Sequence, residues 1–178
     1  FRGEFSKEEA AGVTNTSLIT LSSLVDKSLL RRNGDGRFSL QELVRQFARE
    51  KLNELPDYLV QIKNQHSAYY SRFLEQRTTH LRYTWREAMD DVERVLDNIR
   101  ASWGWMIEQQ NVSELSCAIE GFFHFLDHRG WEQEGTRTMK DTIALLDQFP
   151  DLPDAKMTLA KALMYLGFFN ISRFQAST

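Results

Sequence analysis

The sequence predicts a mainly α-helical protein in two parts: a small N-terminal unit of helices with one β-hairpin, then a longer array of antiparallel helices. Three observations carry that expectation. Apolar residues recur at steps of three and four along most of the 178 residues, the period of an amphipathic helix. Nine glycines and three prolines are too few to punctuate a many-stranded sheet. Only Asn33, Gly34, Asp35 and Gly36 carry hairpin turn chemistry, because Asn-Gly and Asp-Gly pairs tolerate positive φ.

Each element follows in chain order. Ser6 and Glu9 stand at capping-box spacing and start a short helix that ends near Gly12. Asn15, Thr16 and Ser17 offer a second cap, and Leu18, Leu21, Leu24 and Val25 carry a second helix to about Lys27. Leu29–Arg32 and Arg37–Leu40 flank the turn as two strands. Leu40, Leu43, Val44, Phe47, Ala48, Leu52 and Leu55 then form one helical stripe, which Pro56 ends because the residue before a proline disfavours the helical region. Helix, helix, two-stranded wing, helix is the back part of a winged-helix module. It spans residues 1–55 with the usual first helix missing.

Residues 56–178 read as helix throughout. Leu59, Ile62, His66, Tyr69, Tyr70, Phe73 and Leu74 share a stripe, and residues 77–84 read as a polar connection. Trp85, Ala88, Met89, Val92, Val95, Leu96, Ile99, Trp103 and Met106 predict one long helix of about six turns. A break near Asn111 precedes Leu115, Ala118, Ile119, Phe122, Phe123 and Leu126. The turn at Arg129 and Gly130 leads to Trp131, Gly135, Thr138, Met139, Thr142 and Leu146. Pro150 and Pro153 mark a loop before a last helix through Met157, Ala160, Leu163, Met164 and Gly167. Short turns between helices predict an array resembling tetratricopeptide repeats (TPR), truncated at its C-terminus. Gly121, Phe122 and Phe123 are echoed by Gly167, Phe168 and Phe169 after 46 residues, longer than the strict repeat of about 34.

Composition excludes several function classes. A net charge of −3 and a pI near 5.8 leave no global nucleic-acid footprint. Between Lys27 and Lys51 seven basic residues face Asp35, Glu42 and Glu50, a local hint of phosphate contact. The single cysteine, Cys117, excludes an internal disulfide and a cysteine-based zinc site, and reads as a buried inert thiol. No apolar run approaches the roughly 20 residues of a membrane span. Phe1 opens the chain without an initiator Met or a signal peptide, so the chain reads as a cytoplasmic piece of something longer. His124 and His128 stand four apart with Glu120 one turn earlier, a spacing able to chelate zinc. The glutamate of H-E-x-x-H is missing, however, and no metal is expected. Asp90, Asp91 and Glu93 read as the solvated face of a helix.

The segments Phe1–Phe5, Leu24–Leu30, Gly36–Leu40 and Glu42–Leu52 resemble the winged-helix segment of bacterial STAND-type (NB-ARC-like) signalling ATPases, many of them transcriptional regulators. Asp97–Arg100 with Trp105 is similar to the helix that follows in those proteins, and Arg129–Gly135 to their first TPR-like turn. The resemblance covers nearly the whole chain. It implies a fragment lying after a nucleotide-binding domain, which is then its partner within the same chain. ATP or ADP is implied for the parent protein and no cofactor for this piece. No G-x-x-x-x-G-K-[ST] occurs here, so the fragment is expected not to be an enzyme.

Leu40, Gln41 and Glu42 match the family's nucleotide-sensing Met-His-Asp motif, with Gln41 in place of the histidine. A glutamine amide donates a hydrogen bond but carries no charge and does not titrate. The function implied is a regulatory, protein-interaction fragment that couples nucleotide state to a helical sensor region. Phe123, His124, Asp127 and Trp131, near the first array turn, are the candidate partner surface. The alternative is a DNA-binding regulator that reaches phosphates through Arg31, Arg32, Arg37, Arg45 and Arg49 of the wing and following helix.

Overall fold

The computed structural model describes residues 1–175, with side chains through residue 171. The described residues are mainly helical, with one small two-stranded antiparallel sheet. Helix α1 (Lys7–Thr14) is capped by Ser6, whose hydroxyl accepts from the Glu9 amide at 3.1 Å. Its last residue, Thr14, lies two beyond the expected Gly12, and the C-cap Asn15 takes the left-handed region at φ 54°. Helix α2 (Leu18–Asp26) starts from Ser17, which accepts from the Thr20 amide.

Strands β1 (Arg31–Arg32) and β2 (Phe38–Ser39) pair antiparallel, Arg31 opposite Ser39 and Arg32 opposite Phe38. Gly36 takes φ +83° in the turn, a conformation that a side chain would strain. A feature absent from the sequence reading completes the hairpin. Phe5 bridges Phe38 through two backbone bonds of 2.9 and 2.8 Å, so the N-terminal segment acts as a third, minimal strand. Phe5, Ala10, Leu21, Leu30 and Phe38 form a small core of their own.

Helix α3 (Glu42–Asn53) follows, then α4 (Pro56–Tyr83), with Pro56 at the first helical position, where a missing N–H costs nothing. Three expectations need correction here. Residues 77–84 are not a connection, since α4 runs on to Tyr83. Leu81 is fully buried, and the Thr78 hydroxyl donates to the Leu74 carbonyl, so an exposed polar face had disguised a helix. The long helix over 85–106 is two: α5 (Trp85–Arg94) and α6 (Leu96–Glu108), broken at Val95 with φ −117° and ψ 11°. Helices α5 and α6 both pack on α4 and α7, and α6 also reaches α8. Finally, the apolar stripe of α3 is only half covered. Val44 and Leu52 are half-buried, whereas Leu43 is 79% and Phe47 59% exposed.

Helices α7 (Val112–His128), α8 (Glu132–Leu146) and α9 (Pro153–Gln175) complete the array. The Asn111 side chain caps α7, accepting from the Glu114 amide. Helix α4 packs on α6 and α7, and α9 on α7 and α8. Tyr70, Leu74, Leu81, Ile99, Met106, Phe122, Phe125 and Leu126 form the centre of the large core. At Gly121 the α4 and α7 backbones come so close that a Cβ would stand 2.7 Å from the Leu74 carbonyl oxygen. Gly167 has no atom within 4 Å of such a position, so the two glycines of the echoed tripeptide do different work.

Candidate functional site

The residues at the nucleotide-sensor position lie where the hairpin hands over to α3. Gln41 is the α3 N-cap, with extended backbone (φ −64°, ψ 146°), and its side chain makes no capping bond. A side-chain cap is worth about 1 kcal/mol, so α3 starts without that support. Glu42 is exposed and takes Arg45 Nη1 at 3.0 Å and Gln46 Nε2 at 3.3 Å. The Leu40 carbonyl accepts from Arg45 Nη2 at 3.3 Å. The exposed Gln41 amide thus projects from a helix end whose neighbours are already paired.

The basic residues divide. Arg31 and Arg32 are exposed on β1. Arg37 turns inward, where Nη2 donates to Glu9 Oε1 at 3.0 Å and to the Glu4 carbonyl at 3.2 Å. Its Nε stands 4.0 Å from Glu4 Oε2 and makes no hydrogen bond. Glu9 is itself 4% exposed and takes a second bond, from the Tyr70 hydroxyl at 2.8 Å. Arg37 and Glu9 are therefore a buried ion pair that fastens hairpin and α1 to α4, since a buried carboxylate needs both charge and hydrogen-bond partners. Burial and the Glu9 carboxylate push the Tyr70 hydroxyl far above its usual range, so it stays a donor. Arg45 is held by Glu42 and the Leu40 carbonyl, and Arg49 is exposed on α3.

Of the four residues proposed for a partner surface, Phe123 lies inside. It stacks on Tyr165 at 3.9 Å between centroids and meets Phe169 edge-on at 5.3 Å, joining α7 to α9. Trp131 is half-buried, edge-on to Phe125, with the Arg100 guanidinium 5.5 Å above its ring. Arg100 also forks onto Glu134 with two bonds of 2.7 Å. His124 and Asp127 are half-buried and share a side of α7. Burial lowers the His124 pKa and raises that of Asp127, which weakens both as charged contacts.

His124 and His128 are 6.5 Å apart between ring centroids. His128 stacks on Trp85, and its Nε2 lies 2.8 Å from the Leu81 carbonyl, which fixes that nitrogen as a donor. Glu120 is taken by Arg82 and Lys161. Among the described residues no group of three or more His, Cys, Asp or Glu could hold a metal ion. Cys117 is half-buried, and its thiol pKa is raised by desolvation and by Glu75 and Glu114, the reverse of what a reactive thiolate needs.

One polar cluster went unnoticed in the sequence. Asn98, fully buried on α6, accepts the Arg2 amide at 2.7 Å and donates to the Glu4 carbonyl at 3.3 Å. His66 Nε2 lies 3.4 Å from the same Asn98 oxygen, and Nδ1 lies 2.9 Å from the Ser102 hydroxyl. The signal was present: Asn98 and Ser102 interrupt the apolar face of α6 one turn apart, where burial forces polar groups to find partners. Among the described residues no helix is long and apolar enough to cross a membrane. Comparisons with family models, curated proteins and solved structures find no match to this chain.

Proposed function

We propose that this chain is a non-catalytic regulatory and protein-interaction unit of a STAND-type ATPase. In this reading residues 1–55 are an incomplete winged helix that docks on a nucleotide-binding domain of the parent chain, and the remainder is a TPR-like array that binds a partner. The observation that carries the reading is the uncovered half of α3. Helix α3 has 12 residues and no buried one, although an isolated helix of that length is marginal in water. Its ion pairs, Glu42 with Arg45 and Lys51 with Glu54, contribute only about 0.2–0.5 kcal/mol each. An apolar face with so little support is what a docking helix presents before its partner covers it.

The unengaged Gln41 amide at the N-terminal end of that helix supports a contact with nucleotide held by the docked domain. Inward-turned Arg37 and paired Arg45 leave Arg31, Arg32 and Arg49 exposed, a thin phosphate footprint for the DNA-binding alternative. The test uses the full-length parent protein. Gln41→Ala is expected to change the rate at which bound ADP is released, read by release of a fluorescent ADP analogue. An unchanged rate, or a parent sequence with no P-loop upstream of residue 1, overturns the reading.

A further inference from the structure

The geometry points to a binding site for a phosphate monoester in the cleft where α1, the hairpin, α4 and α5 meet. The cleft is open and has a volume of about 780 Å³, in the range of small-molecule sites. Its floor is one face of α4, with Tyr69 and Phe73 one turn apart. The Arg77 guanidinium lies flat over the Phe73 ring at 3.6 Å.

Three arginines line this cleft with fewer carboxylates than cations. Arg77 Nε and Nη2 both reach Asp91 Oδ2 at 3.2 Å, and Arg94 Nη1 lies 3.5 Å from Asp91 Oδ1. One carboxylate is thus shared by two guanidinium groups. Arg72 is exposed and has no carboxylate within ion-pair distance among the described residues. The opposite wall does not compete, because Arg37 and Glu9 neutralise each other and Glu9 is closed off by the Tyr70 hydroxyl. Glu8 at the rim is 67% exposed, with Lys7 at 3.6 Å. The accessible charge is therefore Arg72, Arg77 and Arg94 against Asp91 and Glu8.

The ligand class follows from this arithmetic. Asp91 meets Arg77 through one oxygen and Arg94 only loosely through the other. A tetrahedral dianion offers three oxygens and a second charge, enough to engage Arg72 and Arg94 while Asp91 keeps Arg77 stacked on Phe73. Exposed pairs such as Arg94 with Asp91 contribute about 0–1 kcal/mol, so Arg94 turns to an incoming anion at little cost. The cleft is far larger than a phosphate ion, so the organic part of an ester has room beside the bound phosphate. This site is separate from the docking face of α3 and does not depend on it.

Phenyl phosphate is the probe, titrated calorimetrically into the whole chain at low salt. Saturable binding with a Kd of about 1 mM or below is expected. The Arg72→Ala/Arg94→Ala double variant is expected to bind about tenfold or more weakly. Arg31→Ala/Arg32→Ala removes the same charge from the hairpin and is expected to bind like the unaltered chain. Both pairs are surface changes, and circular dichroism checks that each variant is folded; Arg72→Gln alone gives a milder second measure. No saturable binding at about 10 mM, or equal loss in both double variants, overturns the proposal. Inorganic phosphate binding as tightly as phenyl phosphate overturns the assignment of an ester in favour of the free ion.

Discussion

Asn98 and His66 decide how the first five residues sit. The Asn98 amide spends its oxygen on the Arg2 N–H and His66 and its nitrogen on the Glu4 carbonyl. Phe5 then reaches the hairpin and Phe1 packs on His66. Neutral His66 fits this setting, with Nε2–H aimed at Asn98 and Nδ1 accepting from Ser102. Burial first, and then the nearby chain amine, lower its pKa from 6.5 to about 4. The unfolded chain therefore binds the proton more readily between those two values. The His66 contribution is complete above pH 6.5 and is lost as pH falls toward 4, by roughly 3 kcal/mol across the window. Urea unfolding at pH 7 and pH 4.5 measures it. His66→Gln is expected to flatten the difference, and an equal drop in both proteins would show that other groups cause it. Asp97, Asn98, Ile99 and Arg100 were visible as a motif. That Asn98 anchors a strand 94 residues away in sequence was not, because helical spacing does not tell which partner meets a buried amide.

Among the elements, periodicity found the helices and missed how they end. Leu81 made one buried contact in an otherwise polar stretch, so a 28-residue helix read as a shorter one. Val95 belongs to an unbroken stripe, yet the helix breaks there: α5 and α6 both pack on α4 and α7, and α6 also reaches α8. The echoed glycines make the same point and allow a test. Gly121→Ala drives a Cβ into the backbone carbonyl of Leu74, and separating α4 from α7 is expected to cost about 2–3 kcal/mol. Gly167→Ala meets open space in a helix interior and is expected to stabilise by about 0.5–1 kcal/mol. Thermal unfolding of the two variants reads both; like signs would refute the difference in packing.

For the whole molecule, the notable feature is a small core within residues 5–38 beside a much larger one. The Phe5 strand, the Asn98 anchor and the Glu9–Arg37–Tyr70 lock join them. The α3 face lies outside both cores. Leu43→Ser/Phe47→Ser is therefore expected to change unfolding free energy by less than about 0.5 kcal/mol. It is expected to reduce concentration-dependent association in sedimentation velocity, since an exposed apolar face drives contacts between copies. A loss above about 2 kcal/mol would mean that the face is packed within the isolated chain.

The sequence by itself determined the helical class, the single hairpin, its turn residues, the caps at Ser6 and Ser17, the break near Asn111, and the change of element at Pro56. These depend on near neighbours along the chain: a side chain three residues from an amide, a glycine at positive φ, a proline without an N–H. Tertiary structure alone decided which half of the α3 stripe is covered, that Arg37 turns inward to Glu9 while Arg31 stays out, and that Arg72, Arg77 and Arg94 line one cleft. Those outcomes depend on which surfaces meet, and burial then selects among side chains that local spacing leaves equivalent.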